Sequence, residues 1–191
     1  MPRLFVAIDL PDDIKQTLAA LGHGLPGVRW LKPEHLHLTL RFIGEADAEL
    51  FTAIREGLTG QDFAHFSCRL QGVGSFPPRG KPKVIWTGVD AEAALSRLQH
   101  EIEAGLRRLG VTPEERKFVP HITLARPKDT THHALGQYLS AHHAFQTNPF
   151  TVQAFHLYSS LLTPQGAIHT RERSYPLCLD TTNRIDNQME S

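Results

Sequence analysis

One short pattern occurs twice in the sequence, once in each half of the chain. Residues 37–40 read His-Leu-Thr-Leu and residues 121–124 read His-Ile-Thr-Leu. Because side chains two positions apart share one face of a β-strand, each pattern predicts a strand with a histidine and a threonine on one face and apolar side chains on the other. A single copy is explained more simply as the polar face of a half-buried strand. Two copies on corresponding strands indicate a functional pair.

The two halves also share an order of predicted elements, namely strand, helix, strand, helix, strand. The first strand is predicted at 3–9 and its counterpart at 83–89, and each is followed by a predicted amphipathic helix. This repetition predicts an α+β fold built by duplication, with two lobes related by a pseudo-two-fold axis. Such an axis brings the two His-Thr faces together across a cleft. The boundary between the lobes is predicted in the Pro- and Gly-rich loop 76–82.

Composition excludes several classes of protein. Among 191 residues, 20 Lys and Arg balance 20 Asp and Glu, which argues against sequence-independent coating of nucleic acid but not against a local basic cleft. Two cysteines are too few for a disulfide framework, and no apolar run is long enough to cross a membrane. We therefore expect a soluble cytoplasmic monomer, with one bilobal domain over 1–178 and a polar tail over 179–191.

The chemistry expected of two facing histidines is general acid-base catalysis at a phosphodiester. One imidazole takes a proton from the attacking oxygen, and the other, as imidazolium, protonates the leaving oxygen. The hydroxyls of Thr39 and Thr123 are suited to donate to the non-bridging oxygens, where charge accumulates. The residues alone do not decide whether His37 or His121 is the acid.

Two arginines near the motifs are candidates to bind the phosphate. Arg41 has the alternation parity of His37, so we expect it on the same strand face. Arg126 has the opposite parity to His121, so it reaches the cleft only where the strand bends or ends.

Other interpretations remain open at this level. The chain has twelve histidines, and the adjacent pairs at 132–133 and 142–143 suggest metal ligands. Neighbouring residues on a helix point in different directions, so a solvated surface is the better interpretation, and we expect neither a metal nor a cofactor. The cleft of a binding module would hold a nucleotide phosphate without turnover, although such a module does not need two imidazoles. A phosphoesterase acting on another cyclic or 2'-5'-linked nucleotide is a further alternative.

The paired motifs resemble those of the two-histidine (2H) phosphoesterases. The similarity extends through the segments 4–11, 30–45, 84–88, 118–126 and 157–161 and on to the closing strand, which together resemble the bacterial and archaeal RNA 2',3'-cyclic phosphodiesterase branch, also called 2'-5' RNA ligase. The resemblance implies two small antiparallel sheets facing a central cleft, with helices outside. It implies hydrolysis of RNA 2',3'-cyclic phosphate ends or cyclic nucleotides to 2'-phosphates, with reversible 2'-5' ligation. By the same resemblance, His37 is the proton donor and His121 the proton acceptor, while Thr39, Thr123 and Arg126 hold the phosphate.

Overall fold

The computed structural model describes residues 2–60, 63–78, 80–91, 93–164 and 166–178, so the predicted polar tail lies outside the described residues. Strands and helices alternate along the chain. In order they are β1 (Arg3–Asp9), α1 (Asp12–Ala20), β2 (Val28–Trp30), β3 (His37–Glu45), α2 (Ala48–Gly57), β4 (Phe66–Phe76), β5 (Val84–Ala91), α3 (Ala93–Arg108), β6 (His121–Pro127), α4 (His132–Ala141), β7 (Phe150–Val152), β8 (Ala154–Thr163) and β9 (Gly166–Pro176).

The nine strands of the described residues pair antiparallel in one sheet, in the order β7-β4-β5-β6-β3-β1-β8-β9, with β2 paired to β6. Two groups of strands meet where β3 and β6 adjoin, at the single register pair Leu38↔Ile122. The first group is β3, β1, β8 and β9, and the second is β6, β5, β4 and β7. The two small sheets implied by the resemblance are thus joined into one sheet, and the predicted duplicated α+β fold is confirmed.

The lobes are not the two consecutive halves of the chain. The loop at 76–82, predicted as the lobe boundary, connects β4 to β5, and these two strands pair within the same group. At the other end of the chain, β8 returns to pair with β1. Each half of the sequence therefore contributes strands to the other half's group, because element order does not determine which strands pair.

One apolar core lies between the sheet and the helices. It includes Leu38 and Ile122, which are 1% and 0% exposed, so the junction of the two strand groups is itself core. The longest described helix, α3, buries Leu95, Leu98 and Ile102 against this core. Among the described residues, no helix is both long and apolar enough to span a membrane.

Candidate active site

The two motif strands are neighbours in the sheet. Leu38 of β3 lies opposite Ile122 of β6, and both side chains point into the core. The histidine and threonine of each motif therefore lie on the opposite face, which we call the open face. Both His-Thr pairs thus lie on one face of the sheet, on either side of the junction between β3 and β6.

Both motif histidines are held by the same hydrogen bond. His37 Nδ1 lies 2.8 Å from the carbonyl oxygen of His35, and His121 Nδ1 lies 2.8 Å from the carbonyl oxygen of Val119. A carbonyl only accepts, so each Nδ1 carries the proton and donates. The Nε2 atom of each ring is left to exchange protons with a ligand on the open face.

An aromatic ring also packs against each motif histidine. The ring centroids of Phe5 and His37 are 5.1 Å apart, and those of Phe76 and His121 are likewise 5.1 Å apart. Together with the Nδ1 hydrogen bonds, these contacts restrict the orientation of both imidazoles before any ligand binds.

A β-bulge after Thr39 turns Arg41 away from the open face. Adjacent residues of β1 pair with Thr39 and with Arg41, so Leu40 is the extra residue of the bulge. Leu40 and Arg41 are consequently both buried, with 2% and 7% exposure. The predicted placement of Arg41 on the face of His37 is wrong, because the bulge interrupts the alternation on which it depended.

Arg41 forms structural contacts instead. Its Nε donates to Glu103 Oε2 at 2.6 Å, and its guanidinium also donates to the carbonyl oxygen of Thr112. A second carboxylate oxygen, Glu114 Oε2, lies 3.9 Å from Nη1 of Arg41. The side chain thereby ties β3 to α3 and to the loop that follows α3.

A matching bulge brings Arg126 onto the open face. Adjacent residues of β5 pair with Thr123 and with Ala125, so Leu124 is the extra residue. Leu124 and Ala125 are both buried, and Arg126 is exposed. Arg126 therefore shares a face with His121 and Thr123, through the strand distortion on which its predicted role depended.

The corresponding position in the first motif holds an aromatic residue that the motif itself does not indicate. Phe42 follows the bulge of β3 and is 63% exposed, with its ring 6.1 Å from that of Phe5. The two halves of the site thus differ, with a cation beside the second motif and an apolar ring beside the first.

Comparison with known proteins identifies the family. Residues 10–163 match the model of the 2'-5' RNA ligase superfamily. The chain belongs to this superfamily. It is 34% identical over 170 residues to the RNA 2',3'-cyclic phosphodiesterase of Archaeoglobus fulgidus, covering 87% of this chain and 96% of the relative. It is 35% identical over 173 residues to the enzyme of that name from Thermotoga maritima, covering 87% and 91%.

Solved structures agree with this membership of the 2'-5' RNA ligase superfamily. A crystal structure from Thermus thermophilus matches with a TM-score of 0.76 at 29% identity, over 93% of this chain and 99% of that one. Escherichia coli LigT, crystallised with 3'-AMP, matches with a TM-score of 0.76 at 26% identity and the same coverage. The resemblance inferred from the paired motifs is therefore confirmed.

A third histidine of this superfamily member lies beside His37. The His169 ring is 5.7 Å from the ring of His37 and 5.1 Å from that of Phe5. Its Nδ1 is buried and has no hydrogen-bond partner among the described residues. His169 belongs to β9, where it pairs with Ser160 of β8. No motif surrounds it in the sequence, and only the pairing of β8 with β1 brings it to the site.

The surroundings of His37 favour its neutral form. Burial, and to a lesser extent the nearby His169, lower the pKa of His37 from 6.5 to about 4, although the hydrogen bond to the His35 carbonyl and the Asp9 carboxylate act in the opposite direction. In the free protein, His37 is therefore neutral at pH 7.

This lowered pKa predicts a specific dependence of stability on pH. Between pH 6.5 and 4 the unfolded chain binds a proton at residue 37 that the folded chain does not, so the contribution of His37 is complete above pH 6.5 and is lost as the pH falls toward 4. The free energy of unfolding of the wild type is expected to fall by roughly 3 kcal/mol more over this interval than that of His37→Asn.

Urea denaturation at pH 7, 5.5 and 4 measures this difference. His156, whose pKa is also lowered mainly by burial, is present in both proteins and cancels in the comparison. His100→Asn on the exposed face of α3 is the matched control and should keep the wild-type slope. Identical slopes for His37→Asn and the wild type would contradict the lowered pKa.

The described residues contain no group of three or more His, Cys, Asp and Glu side chains arranged to hold a metal ion. His132 and His133 open α4, whereas His142 and His143 follow its end. At the C-terminal end of α4, His142 Nδ1 lies 2.8 Å from the carbonyl oxygen of Tyr138. The two histidine pairs are not brought together with each other as a ligand set.

Proposed function

We propose that this chain hydrolyses the 2',3'-cyclic phosphate ends of RNA to 2'-phosphates, with His37 and His121 as acid and base. The observation that carries the proposal is the matched pair of imidazoles on the open face, each with its Nδ1 proton committed to a backbone carbonyl. Membership of the 2'-5' RNA ligase superfamily and the names of the relatives from Archaeoglobus fulgidus and Thermotoga maritima support the same reaction. One chain supplies both histidines.

In the proposed reaction, Nε2 of His121 accepts a proton from the attacking water as the water oxygen bonds to phosphorus. The bond from phosphorus to O3' breaks, and Nε2 of His37 protonates the departing O3'. The product carries a free 3'-hydroxyl and a 2'-phosphate. Thr39 and Thr123 donate to the non-bridging oxygens, and Arg126 offsets their negative charge.

The neutral state of His37 in the free protein is compatible with its role as the acid. A phosphate anion bound beside an imidazole favours the charged form and raises its pKa. We therefore expect substrate binding to raise the pKa of His37, which favours the charged form that an acid needs.

The family description also suggests a second reaction at the same site. If the 5'-hydroxyl of another RNA end replaces water as the attacking group, the same proton transfers produce a 2'-5' phosphodiester. By microscopic reversibility, the site then also cleaves that linkage.

Product analysis tests the proposed function. A nucleoside 2',3'-cyclic monophosphate is incubated with the protein in the presence of EDTA, and phosphorus NMR distinguishes the 2'- from the 3'-monophosphate. We expect the 2'-monophosphate alone, at a rate that the chelator does not change. A protein purified identically with both motif histidines replaced controls for contaminating nucleases. Formation of the 3'-monophosphate, or loss of turnover in EDTA that a divalent ion restores, would contradict the proposal.

A further inference from the structure

Two arginines lie side by side at one end of the open face. Arg29 of β2 is the register partner of Arg126 of β6, and both side chains are exposed. Val28 and Trp30, on either side of Arg29, pack against the core. Because neighbouring residues of a strand point to opposite faces, Arg29 shares the open face with Arg126.

This pairing is unfavourable unless an anion compensates it. Like charges directly opposite each other on neighbouring strands destabilise a sheet. Within the described ranges, neither Arg29 nor Arg126 forms a salt bridge, although many other arginines do. Those with a carboxylate partner are Arg3, Arg41, Arg55, Arg69, Arg116, Arg171 and Arg173.

The arginine pair continues the row of site residues. Along β6, the open face presents His121, Thr123 and then, beyond the bulge, Arg126. β2 pairs with β6 on the same side as β3 does, so Arg29 lies on the side of β6 toward the first motif. A ligand that is held between the two motifs and continues along β6 in this direction passes Arg126 and reaches Arg29.

The charge of the substrate separates the roles of the two arginines. A 2',3'-cyclic phosphate carries one negative charge, and its oxygens already have the two threonine hydroxyls, the imidazolium of His37 and Arg126 as partners in the proposed reaction. A second guanidinium on the neighbouring strand has a natural partner in a second phosphate.

We propose that Arg29 binds the phosphodiester on the 5' side of the terminal nucleotide, and that it thereby selects the end of an RNA chain over a free cyclic mononucleotide. This inference rests on the proposed function and adds a subsite to the same cleft. It assigns Arg29 to the internal phosphate and Arg126 to the cyclic phosphate.

A double-mutant cycle between protein and substrate tests this assignment. The two proteins are the wild type and Arg29→Gln. The two substrates are a dinucleotide ending in a 2',3'-cyclic phosphate and the same dinucleotide with an uncharged methylphosphonate at its internal linkage. We expect the methylphosphonate to lower kcat/KM about 5- to 10-fold for the wild type, and to have much less effect on Arg29→Gln. Arg97→Gln, an exposed arginine on α3, should behave as the wild type with both substrates.

Salt dependence gives a second measurement. Loss of one phosphate contact to a single strand should reduce the slope of log(kcat/KM) against log[salt] by about 0.7 for the charged dinucleotide. Removal of the like-charge pair should also leave the Tm of Arg29→Gln at or above that of the wild type, which shows that the variant folds.

The possible outcomes separate the two proposals. If the two changes are additive in the cycle, or if the salt slope is the same in both proteins, Arg29 does not bind the internal phosphate, while the proposed hydrolysis stands. If the wild type hydrolyses neither dinucleotide nor a nucleoside 2',3'-cyclic monophosphate, the proposed function fails and this inference fails with it.

Discussion

Replacement of either motif histidine by alanine is expected to lower kcat by about 100-fold or more, because each general acid or base step contributes roughly 10²- to 10⁴-fold. His37→Ala and His121→Ala each remove an imidazole whose Nδ1 is fixed by a carbonyl 2.8 Å away. Steady-state hydrolysis of a nucleoside 2',3'-cyclic monophosphate measures the loss. His100→Ala is the matched control, since His100 makes a comparable Nδ1 contact to the carbonyl of Ser96 on the exposed face of α3.

The double variant distinguishes concerted action from two independent contributions. If His37 and His121 act as a unit, the fold loss in kcat of the double variant should be far smaller than the product of the fold losses of the two single variants. Each protein should also remain folded by circular dichroism at pH 7. An alanine variant that retains wild-type kcat, or one that loses activity only by unfolding, would show that the motif is structural.

The second large effect concerns stability and involves Arg41. Arg41→Met is expected to lower the free energy of unfolding by about 3 kcal/mol, because it leaves Glu103, which is only 19% exposed, without its cationic partner. The kcat of the folded variant should remain close to that of the wild type, since Arg41 points away from the open face. Urea denaturation measures the first quantity and steady-state turnover the second.

Arg116→Met provides the comparison for Arg41→Met. Arg116 pairs with Glu114 at 3.3 Å but is 90% exposed, so its loss should cost less than about 1 kcal/mol. An Arg41→Met protein with wild-type stability and a large loss of kcat/KM would restore Arg41 to the phosphate-binding role that strand alternation predicted.

The alternation of polar and apolar residues predicted most of the site, because it holds over all four residues of each motif. His37 and Thr39 lie on one face with Leu38 buried behind them, and the second motif repeats this arrangement. The α+β class and the duplication followed from the repeated order of elements. These features depend on local periodicity, which a sequence displays directly.

The two bulges show where local periodicity ends. One extra residue in a strand reverses the faces of the residues that directly follow it, and neither Leu40 nor Leu124 differs in type from a regularly paired core leucine. The same distortion therefore excluded Arg41 from the open face and brought Arg126 onto it. No turn residue or change in composition identifies either position.

The exchange of strands between the two groups could likewise not be predicted from the sequence. His169 reaches His37 only because β8 pairs with β1 and carries β9 beside it. The partner of a strand depends on the packing of the whole sheet, so a histidine outside any motif cannot be assigned to the site from its neighbours in sequence.

The roles of the two histidines depend on which one protonates O3'. The most direct test replaces the leaving O3' by sulfur and compares the kcat/KM of the two histidine variants. In a nucleoside 2',3'-cyclic phosphate with sulfur in place of O3', the leaving group is a thiolate, whose conjugate acid has a pKa near 8.5, far below that of an alcohol. It departs without an acid. We therefore expect His37→Ala to lose less than about 10-fold in kcat/KM with the sulfur substrate, compared with about 100-fold or more with the oxygen substrate. His121→Ala should lose at least about 100-fold with both. Equal losses for both variants with both substrates would contradict general acid-base catalysis by this pair.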